Sequence, residues 1–129
     1  VAESITTNAD LITWEVMPDV EIVRLSTNRL TSETPPWHTR HKLAWSETLD
    51  RLKRRNPQIE EGDITSSSGL KLAVCYHVAY LAYRWAPGGK DDIDRAKLWY
   101  AAWEAKLEEV DLGDGIALGE FSFRKAYRG

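Results

Sequence analysis

The chain has 129 residues, with 17 Lys and Arg against 20 Asp and Glu and a formal net charge of −3. That length suits one domain that buries about two-thirds of its unfolded surface. The mild acidity exerts no global pull on nucleic acid or anionic membrane, so either contact would need a local patch. Residues 1 to 36 open without a basic or apolar run, so no secretory signal is read there. This stretch sets Glu3, Asp10, Glu15, Asp19, Glu21 and Glu33 against Arg24 and Arg29, and its apolar residues keep no helical period. Val20, Ile22 and Arg24 alternate as a strand does, with Pro18 and Ser26-Thr27-Asn28 interrupting, which predicts an irregular arm with short elements.

Thr34-Pro35-Pro36 is a helix start, because threonine caps and proline loses nothing in the first turn. The predicted helix runs from 37 to 55, with Trp45, Leu49 and Leu52 on one face, and Asn56-Pro57 closes it. Its other face is basic: Arg40, Lys42, Arg51, Lys53, Arg54 and Arg55 against Glu47 and Asp50. A linker with Glu60-Glu61-Gly62-Asp63 then leads to hydroxyls at 65 to 68 that suit a helix cap.

The second helix is predicted over 69–86. Leu70, Val74, Val78, Leu81 and Trp85 form a ladder widened by Ala73, Cys75, Ala79 and Ala82, so this helix is buried on most sides. Cys75, the only cysteine, reads as a small hydrophobe in a reducing compartment. The apolar run from Leu72 to Ala86 is broken by His77 and Arg84 and is shorter than the ~20 residues a membrane span needs. Tyr76, Tyr80 and Tyr83 make a second stripe, a candidate subunit interface.

Pro87-Gly88-Gly89 ends this helix, and Asp91, Asp92 and Asp94 suit the positive start of a third, predicted over 92–110. Ile93, Ala96, Tyr100, Trp103, Leu107 and Val110 supply its seam, and the short loop makes the two helices an antiparallel pair. After the Asp111-Leu112-Gly113-Asp114-Gly115 break the period changes to two. Phe121, Phe123 and Tyr127 fall on one side of a short strand or hairpin, Arg124 and Arg128 on the other. The predicted fold is mainly α: a small bundle over 37–112, an N-terminal arm over 1–36 and an extended C-terminal arm over 113–129.

Few residues combine into chemistry. His38 and His41 stand at i and i+3 without a third ligand, and are expected in solvent near a helix start rather than on a metal. His77 lacks an acid at helical spacing and reads as a hydrogen-bonded core or interface histidine. Glu104, Glu108 and Glu109 read as a solvated face, and the Asp-Leu-Gly-Asp-Gly turn lacks the oxygens of a calcium loop. No catalytic residues, metal or cofactor are assigned, and the expectation is a protein that is not an enzyme. The first helix is basic, whereas residues 91 to 111 hold seven acidic against three basic residues. Opposite charge on two faces suits head-to-tail contact between copies in a ring.

From Leu43 onward an ordered series stands out. It begins with an amphipathic helix containing Ala44-Trp45-Ser46-Glu47-Thr48-Leu49-Asp50-Arg51-Leu52-Lys53-Arg54-Arg55 and the linker Glu60 to Thr65. An Ala/Tyr-rich helix from Leu70 to Arg84 follows, then a Pro/Gly/Asp loop, a long helix from Arg95 to Val110, an Asp-Gly turn and a strand ending in Tyr127-Arg128-Gly129. This order resembles the head–tail adaptor, or connector, proteins of tailed bacteriophages and gene transfer agents, over about two-thirds of the chain. Residues 1 to 36 fall outside the match.

The resemblance implies a virion protein of the neck, made in the host cytoplasm, whose copies form a ring, usually twelve-fold. Its partners would be the portal, a downstream neck or tail protein, and packaged DNA passing through the channel. Phe121, Phe123, Arg124, Tyr127 and Arg128 would form the portal-docking arm, joining a sheet edge. The basic face from Arg40 to Arg55 would meet DNA or an acidic partner. A free-standing helical module that uses this basic face on DNA is the alternative from another functional class.

Overall fold

The computed structural model describes residues 5–26, 36–55, 68–86 and 89–109. They form five helices: α1 (Asn8–Thr13), α2 (Asp19–Arg24), α3 (His38–Arg55), α4 (Ser68–Arg84) and α5 (Lys90–Glu109). The mainly α architecture and the three predicted long helices are therefore present. The C-terminal strand, with Phe121, Phe123, Arg124, Tyr127 and Arg128, lies outside the described residues, as do the caps expected from Thr34 and from the hydroxyls at 65 to 67.

The cross-helix pairs fix the topology. Tyr76 meets Trp99, Tyr80 meets Tyr100 and Arg95 lies over Tyr83, so numbers on α5 fall as those on α4 rise and the two are antiparallel. Thr48, Arg51 and Arg55 meet Trp103, Glu104 and Glu108, each 53 to 55 residues on, so α3 runs parallel to α5. The bundle is up-down-up, with α4 packed on both neighbours. Its side chains explain why. Leu70, Ala73, Val74, Cys75, Val78, Ala79, Leu81 and Ala82 are all at zero exposure, apolar on nearly every side. Two ladder positions depart from expectation: Trp85 falls beyond the end of α4 and Ile93 stands at the start of α5, and both are exposed.

The arm is helical where a strand was expected. Pro18 precedes α2 with extended geometry, its carbonyl accepting from the Glu21 and Ile22 amides, so proline opens a helix there instead of interrupting a strand. Thr7 and Asp10 form a capping box at the start of α1. Leu11, Val16, Met17, Ile22 and Leu25 are buried and belong to the same core as the long helices. The arm covers the end of the bundle where α3 starts, α4 ends and α5 starts. Ser26 accepts from the Trp37 indole at 2.9 Å, the Tyr83 hydroxyl donates to Glu21 at 2.8 Å, and Arg24 donates to Asp92 at 3.0 Å.

Trp37 shows how firmly this joint is set. Its φ of 64° is left-handed, a conformation that costs a bulky residue about 1–2 kcal/mol. Complete burial of the indole and the Arg40 guanidinium 4.4 Å from the ring centroid offset that cost.

Candidate functional site

Helix α3 carries the six basic residues singled out from the sequence, and the fold separates them. Arg40 is buried: it lies over Trp37 and reaches the Leu25 carbonyl at 3.5 Å, so it belongs to the arm joint and not to an outward basic face. Arg51 bonds Glu104 and the Tyr100 hydroxyl, both at 3.0 Å, with its guanidinium 4.7 Å from the Trp103 ring. Arg55 bonds Glu108 at 2.7 Å. The acid of α5 is thus partly matched to the base of α3 within the chain, so Glu104 and Glu108 carry ion pairs while staying partly in solvent. Lys42, Lys53 and Arg54 remain exposed, with Arg54 only 3.8 Å from Asp50.

The tyrosine stripe likewise turns inward. Tyr83 is buried, and burial together with its bond to Glu21 pushes its hydroxyl up to about 12. Tyr76 and Tyr80 are half-buried against Trp99 and Tyr100. What the stripe covers within the subunit is α5 and the arm.

The three histidines divide. His38 is partly exposed, but His41 is buried, not in solvent as expected. The Thr6 hydroxyl donates to its Nδ1 at 2.7 Å and its Nε2–H donates to Asn8 Oδ1 at 2.8 Å. Both nitrogens are satisfied in the neutral ring, and burial pulls the pKa down to about 4. No cluster of three metal-ligating side chains occurs among the described residues.

His77 is also buried, on α4, and it has the acid that helical spacing did not offer, because Glu47 comes from α3. Nε2 bonds the Glu47 carboxylate, whereas Nδ1 has no hydrogen-bond partner among the described residues. Its ring lies 4.1 Å from Trp103 and 5.2 Å from Tyr80. Burial holds its pKa below the usual histidine value, against the pull of Glu47. The ring lines a cavity of about 270 Å³ shared with Glu47, Asp50, Arg51, Arg54, Arg84 and Tyr100. An open groove of about 480 Å³ adjoins it, with Ile93, Ala96 and Lys97 of α5 on its far side.

Cys75 is inert by the same logic as the core around it, since burial drives its thiol up to about 12. No described helix is long and apolar enough to cross a membrane. The described residues thus form a bundle of three long helices with a capped end, a charged seam and a polar cavity. No protein-family model, curated protein or solved structure matches the chain.

Proposed function

We propose that the chain is a structural assembly protein, a head–tail adaptor whose copies form a ring on a portal and link a DNA-filled head to a tail. One observation carries the reading: among the described residues, large apolar side chains stand in solvent beside a well-buried core. Helix α2 turns Ile22 inward and keeps Val20 and Val23, three positions apart, at 69% and 65% exposure. On α5, Ile93 and Leu98 stand at 51% and 70%. Val20 and Val23 share one face of α2, an apolar surface of the sort a partner could cover. The three long helices, in the order that resembles the connector proteins, support the same conclusion.

The alternative, a free-standing DNA-binding module, draws less support from the fold. Arg40 is buried, and Arg51 and Arg55 are paired with α5, which leaves three of the six cations for phosphate contact. Weak duplex binding by the isolated chain, with a shallow salt dependence, follows.

The test is removal of residues 119 to 129, the proposed docking arm. The truncated chain is expected to keep its helicity and thermal stability, because the buried core of the described residues is drawn from Leu11 to Leu107, and to lose attachment to portal-bearing heads. Retained attachment would refute the docking role, and tight, steeply salt-dependent duplex binding by the isolated chain would favour the regulatory module.

A further inference from the structure

Buried polar atoms in a folded protein nearly always find partners, and His41 obeys that rule at both ring nitrogens. His77 does not. At 1% exposure its Nδ1 is unbonded among the described residues, an unfavourable state whether that nitrogen carries a proton or not.

The cavity that this ring lines offers several guanidinium donors beside carboxylates that already have partners. Three guanidinium side chains, Arg51, Arg54 and Arg84, line it together with Tyr80 and Tyr100. The carboxylates nearby are already engaged: Glu47 with His77, Asp50 near Arg54 at 3.8 Å, and Glu104 with Arg51 at 3.0 Å. Arg84 bonds a neutral group, the Tyr80 hydroxyl at 3.1 Å. Three guanidiniums face three carboxylates, so the cluster is neutral with His77 unprotonated and carries one positive charge once His77 is protonated.

The geometry points to a binding site for a phosphate-class oxyanion in this cavity, with Arg84 and Arg54 as the charged donors and the Glu47-bound imidazole of His77 as the charge beneath it. Guanidinium forks suit an anion that presents several oxygens, and four oxygens engage several donors where a carboxylate has two. At about 270 Å³ the cavity has room for a phosphate group. The site does not depend on the assembly role.

A proton accompanies the anion. His77 shares the cavity with Glu47, Asp50, Arg51 and Arg54 from α3, Tyr80 and Arg84 from its own helix, and Tyr100 from α5, with Glu104 behind Arg51. Burial disfavours its charged form, and Arg51 and Arg84 oppose it further, while Glu47 favours it. An anion on the guanidiniums removes that opposition and raises the pKa of His77. Affinity therefore falls as pH rises, by up to about tenfold per unit between the free and bound pKa values.

The experiment is a titration of the full chain with inorganic phosphate at constant ionic strength, read from the histidine ring resonances at several pH values. Expected are a saturable shift of His77 with His41 unmoved, a rise in the His77 pKa, and loss of affinity by about tenfold or more in Arg84→Gln. Arg84 is exposed, so that variant keeps the fold. A short single-stranded oligodeoxynucleotide without terminal phosphate separates the sources. Displacement of phosphate at His77 assigns the site to a phosphodiester, and no displacement assigns it to free phosphate. A His77 ring that does not respond to phosphate, a shift that never saturates, or wild-type affinity in Arg84→Gln overturns the proposal.

Discussion

The two ends of α3 solve the same problem differently. At its start, Trp37, Arg40 and His41 are polar or amphipathic, yet all are buried, because the arm supplies partners for them. Toward its end, Arg51 and Arg55 stay partly in solvent and reach across to α5, and the polar cavity opens beside them. The two buried histidines register the difference in their second nitrogens, both satisfied in His41 and one unbonded in His77 among the described residues.

The strongest test of the cavity end is Trp103, which is 2% exposed and donates its indole N–H to the Thr48 hydroxyl at 3.1 Å. Thr48 in turn donates to the Ala44 carbonyl at 2.8 Å, so one fully buried hydroxyl links two helices. Trp103→Ala is expected to cost about 3–5 kcal/mol in denaturant unfolding. A loss below about 1 kcal/mol would place the α3–α5 seam outside the core and dissolve the contrast between the two ends.

Acid tests the closed end next. His41 has a folded pKa near 4 against the ordinary 6.5, so the unfolded chain takes up its proton first. Its contribution is complete above about pH 6.5 and is lost as pH falls toward 4, on the order of 3 kcal/mol in all. Unfolding free energies measured between pH 7.5 and 4 should follow that slope, and His41→Asn should flatten it. Part of the slope remains in His41→Asn because the pKa of His77 is also lowered, and an undiminished slope would overturn the assignment to His41.

Smaller again is the charged seam. Glu104 and Glu108 have side chains 46% and 67% exposed, so water screens their pairs with Arg51 and Arg55. A double-mutant cycle on Arg55 and Glu108 should give a coupling of about 0.2–1 kcal/mol that shrinks with salt. A larger, salt-insensitive value would mean that this end is as dry as the arm joint.

Much of the fold was legible because proline and glycine punctuate it: Pro36 stands just before α3 and Gly89, at φ +83°, just before α5. The arm joint was hidden by residue type, not by spacing. Positions 37, 41, 45 and 52, with 40, 44 and 48, make a regular helical stripe on α3, but Arg40, His41 and Thr48 are polar, and a search for apolar periodicity passes over them. The Glu47–His77 pair was illegible for another reason, since its members are 30 residues apart on different helices and only packing brings them together. Arg51 and Arg55 could have been matched to Glu104 and Glu108 once α3 and α5 were known to run parallel, because both pairs share one offset.

An effect as small as that of the charged seam is expected from the arm itself, at the end of α1. Val16 donates to the Leu11 carbonyl at 2.9 Å and Glu15 to that of Ile12 at 3.0 Å, the paired bonds of a Schellman turn, with Leu11 and Val16 both buried beside it. Such a turn requires a left-handed residue, and here Glu15 supplies it at φ 59° where glycine is the usual occupant. Trp37 is left-handed too, but its indole is wholly buried and a glycine there would forfeit that packing. Glu15 is exposed and forfeits little. Removing the left-handed penalty of about 1–2 kcal/mol, less the roughly 0.5–1 kcal/mol that glycine's freedom costs on folding, leaves Glu15→Gly more stable by about 0.5–1 kcal/mol. Thermal unfolding should move up by about 2–5 °C. A lower midpoint would mean that the Glu15 side chain contributes more than its backbone costs, and the arm would then be held by its surface as well as by its buried joint.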